Sequence, residues 1–250
     1  MLNEPLYLAI IYYAVYSFYG WVCETVYCSV WEKRYARRGF LRGPYCPVYG
    51  LGAVLVLTLC IHHKENPALV FCITLVAASV VEYLTGWLFE TALQMRLWDY
   101  SGNRLNIKGR VCLLNSILFG FLGLAAIYVV HPPTVKLIAL ADPVAQRIAA
   151  SGLAAIMGLD FCSSLGTAAG LNDKLNAIRA QGVAGSPLGR VLEKLDALTV
   201  QKDASWRIVK NYPTLKPKHL EAELALLRQY WEQDKTRGRN LFARLRRTRR

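Results

Sequence analysis

The sequence is poor in charge, and poorer still in acid: 19% of its 250 residues are charged, with 17 Asp and Glu against 30 Lys and Arg. That scarcity excludes a soluble domain of ordinary composition, in which about a quarter of residues carry charge. None of the seven cysteines forms a Cys-x-x-Cys pair, so neither a zinc ribbon nor a disulfide framework is supported. No Walker-type glycine-rich loop occurs, so the chain does not hydrolyse nucleotide by that route. Of the four histidines, His62 and His63 are adjacent but have no ligand set around them, and surface histidines are the better reading. The first apolar run lacks a basic start and a small-residue cleavage site, so it reads as a retained helix rather than a signal peptide.

What is abundant is apolar length. Hydrophobic residues make up 54% of the chain and gather in runs at 6–31, 47–62, 68–93, 111–130 and 145–171. A hydrocarbon core needs about 20 residues of helix; the run at 47–62 is short and needs its flanking loop to complete a crossing. The expected fold is an all-α integral membrane protein with five transmembrane helices and a cytoplasmic helical C-terminal tail. Lys33, Arg34, Arg37, Arg38 and Arg42 fill the first loop and Arg96, Arg104, Lys108 and Arg110 the third. The intervening loops carry only Lys64, and Lys136 with Arg147. By the positive-inside rule the N-terminus lies outside the cell membrane and the C-terminus in the cytoplasm.

An internal repeat organises the first half. Residues 20–25 read Gly-Trp-Val-Cys-Glu-Thr, and 66 positions later residues 86–91 read Gly-Trp-Leu-Phe-Glu-Thr. The register continues through Arg38 with Arg104, Arg42 with Lys108, Gly43 with Gly109 and Cys46 with Cys112. Both first helices run in one direction, so 6–64 and 72–130 read as two parallel-repeat hairpins related by an axis along the membrane normal. Pro132-Pro133 is expected to end the fourth helix. The fifth, 145–171, completes a transmembrane domain of residues 1–171 and carries Ala154, Gly158, Cys162, Gly166 and Gly170 at four-residue spacing. Such a face permits close backbone approach, within the bundle or across a homodimer through Gly158, Gly166 and Gly170.

Residues 172–250 form a basic, amphipathic-helical region. Helical apolar faces are expected at 187–200 and 217–236. The last twelve residues carry Arg239, Arg244, Arg246, Arg247, Arg249 and Arg250 and no acid. In a cytoplasmic tail such a run fits anionic lipid headgroups, and without a recognisable binding module it does not argue for nucleic acid.

Four acids fall within the apolar runs: Glu24, Glu82, Glu90 and Asp160. A charge at mid-span costs about 2.5–3.5 kcal/mol on insertion scales, so each needs a reason. Glu24 and Glu90 lie near helix ends and can pair with Arg38, Arg42, Arg104 or Lys108. Glu82 sits mid-span with no base nearby in sequence, and the repeat aligns it with Tyr16 rather than with another acid. Backbone amides beside Arg38 and Arg42, in a loop punctuated by Gly39, Gly43, Pro44 and Pro47, can hold a phosphate or carboxylate. Trp98 and Tyr100 suit a headgroup belt, while Asp99 and Ser101 suit turn caps.

The segments RGFLRGPYCPVYGLG (38–52), EYLTGWLFE (82–90) and WDYSGNRLNIKGRVCL (98–113) resemble the ABC-transporter type IV, or CmpB-like permease, family over residues 6–130. The resemblance implies a permease. The expected function is a permease or channel-like transport subunit, with or without a partner subunit. Its substrate site is lined by Glu24, Glu82, Glu90, Arg38, Arg42, Arg104, Arg110 and Asp160, without catalytic residue, metal or cofactor. Two other readings fit the same residues: a membrane enzyme acting on an anionic lipid headgroup, and a non-catalytic membrane scaffold.

Overall fold

The computed structural model describes residues 5–180 and 204–232. Among the described residues, four helices or near-continuous helical runs are long and apolar enough to cross a membrane: Leu6–Glu32, Pro67–Leu93, Leu113–Ile138 and Pro143–Ala180. In chain order they are α1 (Leu6–Glu32), α3 (Pro67–Leu93), the compound run α4 (Leu113–Ala125) through α5 (His131–Ile138), and α6 (Pro143–Ala180). A shorter apolar helix, α2 (Pro47–Cys60), lies between the first two. Helix α1 packs along α2 and α6, α2 along α3, and α3 along α4.

Local chemistry sets the helix limits. Asn66 caps α3 by accepting the Leu69 amide at 3.0 Å, and Pro67 takes the first turn, where its missing N–H costs nothing. Helices α1 and α3 end on Lys33 and Gln94, both left-handed, at φ 50° and 53°.

The loop after α1 turns back into the bundle. The Cys46 amide donates to the Ser17 carbonyl at 2.9 Å, and Ser17 lies about 22 Å along the axis from the end of α1 at 1.5 Å per residue. Phe40, Leu41 and Cys46 are buried on this return path, so its irregular backbone is shielded by protein. Helix α2 therefore starts deep and needs only 14 residues. The loop after α3 folds back likewise, through the strand pair β2 (Asn106–Ile107) and β3 (Val111–Cys112). Lys108 and Gly109, at φ 53° and 70°, close its tight turn.

Pro132-Pro133 does not end the fourth helix, contrary to the sequence expectation. A π-helical turn, Ala126–Val130, precedes the prolines, and the His131 amide donates to the Ala126 carbonyl five residues back. The prolines occupy the first positions of α5, where missing amides are tolerated.

The C-terminal region is not a detached tail over its described part. Helix α7 (Ala204–Asn211), β4 (Lys216–Pro217) and the helix at 221–232 (α8) form a cap on the loop end of the bundle. Its core joins Ile208, Leu215, Leu220 and Leu227 to Phe40, Leu41, Met95 and Leu97 of the loops and to Leu171 and Leu175 of α6. Strand β4 pairs antiparallel with β1 (Met95–Arg96). A second cluster, with Tyr12, Tyr16, Leu57, Val70 and Ile127, fills the opposite end. The expected helix at 187–200 and the arginine run from Arg239 to Arg250 lie outside the described residues.

Candidate functional site

Helix α1 presents Ser17, Gly20 and Glu24 towards α2, and the fit is tight. A Cβ on Gly20 would collide with Tyr49, and one on Gly50 with Ser17 and Tyr13. This contact seats Tyr49 where it interacts electrostatically with Glu24, Cys46, Tyr100 and Glu82. Glu24 accepts a hydrogen bond from Cys46 Sγ at 3.4 Å. Glu82 is buried, with 6% of its surface exposed, and also senses the charge of Glu24.

Tyr100 Oη donates to Glu82 Oε1 at 3.0 Å. Burial first, and the Glu82 carboxylate second, push the Tyr100 phenol up, so it remains the donor. Glu82 Oε2 is buried without a hydrogen-bond partner. A carboxylate with one free, dry oxygen can hold a proton or meet a small cation. The centre of the site is thus two acids with two tyrosines and a cysteine, and Arg38 is near enough to Glu24 to act on it electrostatically.

The other predicted residues make their hydrogen bonds and ion pairs away from Glu24 and Glu82. Glu90 binds Arg96 at 3.0 Å and Arg110 at 2.8 Å. Arg110 also donates to Tyr83 Oη at 2.9 Å; burial opposes its charge, but Glu90 outweighs that and holds its pKa up. Arg38 binds Glu32 at 2.8 Å and the Asn211 carbonyl at 2.7 Å. The Arg42 and Arg104 side chains are exposed. The amides expected to hold an anion are taken by Asp160 of α6, which accepts from Arg42 N at 3.0 Å, Gly43 N at 2.8 Å and Tyr45 Oη at 3.1 Å. Asp160 therefore ties the first returning loop to α6.

Tyr100 turns inward to Glu82 rather than to headgroups, and its 18-residue separation from that acid leaves no periodic trace in the sequence. Asp99 and Ser101 do cap a turn: the Ser101 amide donates to Asp99 Oδ1 at 3.0 Å. Lys216 of the cap adds a 2.6 Å bond to Asp99 Oδ2. Burial alone would raise the Asp99 pKa, but the bonds from Lys216 and Ser101 prevail and bring it to about 2.

The cap closes over the site. Arg207 donates to the Phe40 carbonyl at 2.6 Å, and Asn211 Nδ2 to the Gly39 carbonyl at 2.9 Å. Tyr212 is near enough to Glu24 and Cys46 to interact with both electrostatically. An open cleft of about 420 Å³ lies elsewhere, on the cap, lined by Arg179, His219, Glu221, Ala222 and Glu223. Among the described residues, no group of three or more His, Cys, Asp or Glu side chains is placed to hold a metal ion.

A family model described as "Putative ABC-transporter type IV" matches residues 11–165. The match runs past the motif-bearing segment 6–130 into α6 and takes in Asp160. No curated protein and no solved structure matches the chain.

Proposed function

The chain belongs to the ABC-transporter type IV family, and from that membership we propose that it is a multi-pass membrane transport subunit whose site is the Glu24–Glu82 pair. The observation that carries the reading is the buried, unpartnered Oε2 of Glu82 beside a second intramembrane acid. Acids in such places mark ion and proton paths. The pair binds or relays a proton or small cation, while Tyr49 and Tyr100 hold its geometry. Glu90 with Arg96 and Arg110, and Asp160 with the first loop, support the frame around it.

The proposed topology has five crossings. Helix α2 completes the second together with its returning loop, the N-terminus is outside, and the cap is cytoplasmic beneath the basic loops. The two hairpins act as parallel repeats; Cys46 and Cys112, aligned by the 66-residue register, each precede the first residue of a returning helix. Gly158, Gly166 and Gly170 have nothing within 4 Å of where a Cβ would stand, which favours an outward seam for a homodimer. A monomeric mass in native nanodiscs would remove that seam. The arginines at 244, 246, 247, 249 and 250 engage anionic lipid; equal binding of a chain truncated after Gly238 to anionic and neutral vesicles would support this, and retained anionic preference would refute it.

The test is flux. In proteoliposomes the wild-type chain, with any ATP-hydrolysing partner it requires, is expected to pass protons or small cations. Glu82→Gln should reduce that flux at least about a hundredfold, the lower range for loss of a positioned proton-transfer group. Unchanged flux in a folded Glu82→Gln protein would sink the reading. The lipid-enzyme alternative is less well supported, because Arg38 and Arg110 are already engaged by Glu32 and Glu90.

A further inference from the structure

A second polar group lies in the half of the bundle away from the cap. His131 is buried, and its Nδ1 stands 3.0 Å from Tyr16 Oη. The Tyr12 ring lies 5.4 Å from the imidazole, and Tyr19 packs edge-on against Tyr16 at 6.0 Å. Thr134 also reaches the Tyr16 hydroxyl. From the elements packed around His131, the titratable groups are Tyr12, Tyr16 and Tyr19 of α1 and Cys60 of α2, and Lys64 in the next turn acts on it electrostatically.

The π-turn accounts for this placement. One residue added to an α-helix rotates everything after it by about 100°, so the wide turn at Ala126–Val130 aims His131 at α1. Wide turns of this kind are frequent at functional sites. A histidine within a membrane span is itself an expensive residue with a functional default. The Tyr–His bond also survives a change of protonation state. With Nδ1 bare the tyrosine donates, and with Nδ1 protonated the imidazole donates to the tyrosine oxygen. A carboxylate–metal site has no such symmetry.

Tyr16 and Glu24 are eight residues apart on α1, about 12 Å along its axis. Between them Ser17 is fully buried, and its hydroxyl has no hydrogen-bond partner. We propose that His131 and Tyr16 form a proton-binding station at the far end of the bundle from Glu24 and Glu82, and that the ion handled along α1 is a proton. The second half of this inference rests on the transport reading above.

The full chain, labelled with ¹⁵N-histidine in lipid nanodiscs, tests the station directly. Four histidines are present, and His131→Gln identifies the signal by its loss. That signal is expected to change protonation state within the pH range over which the protein stays folded, with a midpoint that falls by at least about half a unit in Tyr16→Phe, because the bond donated by a charged imidazole is about twice as strong as the neutral one. One protonation state throughout, or an unmoved midpoint, overturns the proposal. In proteoliposomes under a pH gradient with an entrapped pH dye, His131→Gln should slow proton uptake at least about tenfold. Equal uptake by wild type and His131→Gln, zero included, also overturns it. A silent Glu82→Gln beside a slowed His131→Gln would instead count against the Glu24–Glu82 site and leave the station standing.

Discussion

Tyr100 Oη donates to Glu82 Oε1 at 3.0 Å from a loop that has folded back into the bundle, and it leaves Glu82 Oε2 buried and unpartnered. One loop hydroxyl therefore holds the acid in place while half of its binding capacity stays open. The bond joins the loop after α3 to the middle of α3 itself, so it couples the loop's position to the state of the acid.

Tyr100→Phe removes that donor and should destabilise the protein by about 1–3 kcal/mol, the cost of a buried acceptor left without its partner. In a Glu82→Leu background the same change should cost much less, because the acceptor is gone. Thermal unfolding of both single variants and the double variant in nanodiscs measures the coupling; additive losses would show that the bond does not exist in the folded protein.

The two glycines of the repeated hexapeptide should respond differently to alanine. A Cβ on Gly20 collides with Tyr49, whereas one on Gly86 meets Trp98 at 3.4 Å, an ordinary contact. Gly20→Ala is expected to cost about 1–3 kcal/mol by overpacking. Gly86→Ala should stay within about 0.5 kcal/mol of the wild type. Denaturant or thermal midpoints of the two variants decide it, and equal losses would contradict the packing.

Asp160→Ala leaves the Arg42 and Gly43 amides without their charged acceptor. Hydrogen bonds to a charged group are worth about 1.5–3 kcal/mol, so the first returning loop should loosen from α6. Hydrogen exchange at those two amides should accelerate by at least tenfold, about the 1.4 kcal/mol equivalent, with little change in the core of α3.

Acid should release one edge of the cap. The folded Asp99 pKa, about 2, lies below the unfolded value of about 3.9. Its contribution to stability is therefore full above about pH 4 and is lost as pH falls through about 2. Hydrogen exchange at the β1–β4 pairing should rise across that window, and Lys216→Met should flatten the rise. An unchanged profile in Lys216→Met would show that another group governs it.

Much of the membrane architecture was legible in the linear pattern. The four long apolar helices lie where the runs predicted them, and the short run at 47–62 became α2. The irregular, buried loop was legible too, because Gly39, Gly43, Pro44 and Pro47 forbid a regular continuation. The path through Pro132-Pro133 was not, because a π-turn depends on what the following residue gains by rotating inward. His131 gains Tyr16, 115 residues away. The docking of 204–232 was equally hidden, since an amphipathic face does not name the surface that covers it.

Within the candidate site, Glu82 stood out in the sequence as a lone mid-span acid, and it became the centre. Glu90 was expected to find a loop base, but sequence did not single out Arg96 and Arg110. Asp160 was expected among the residues lining the site, and in the structure it accepts from two backbone amides of the first loop. Spacing on one helix places a side chain on a face; it does not say which loop returns to meet it.

The sequence by itself determined which segments are apolar enough for the bilayer, where the loops are basic and which acids are costly. Those properties sum along the chain without reference to its folded path. Only the tertiary structure decided that Tyr100 meets Glu82, that Arg38 reaches across 173 positions to Asn211, and that the cap closes over Glu24. Those contacts are made between separate elements, and their geometry exists only once the returning loops have been packed against the helices.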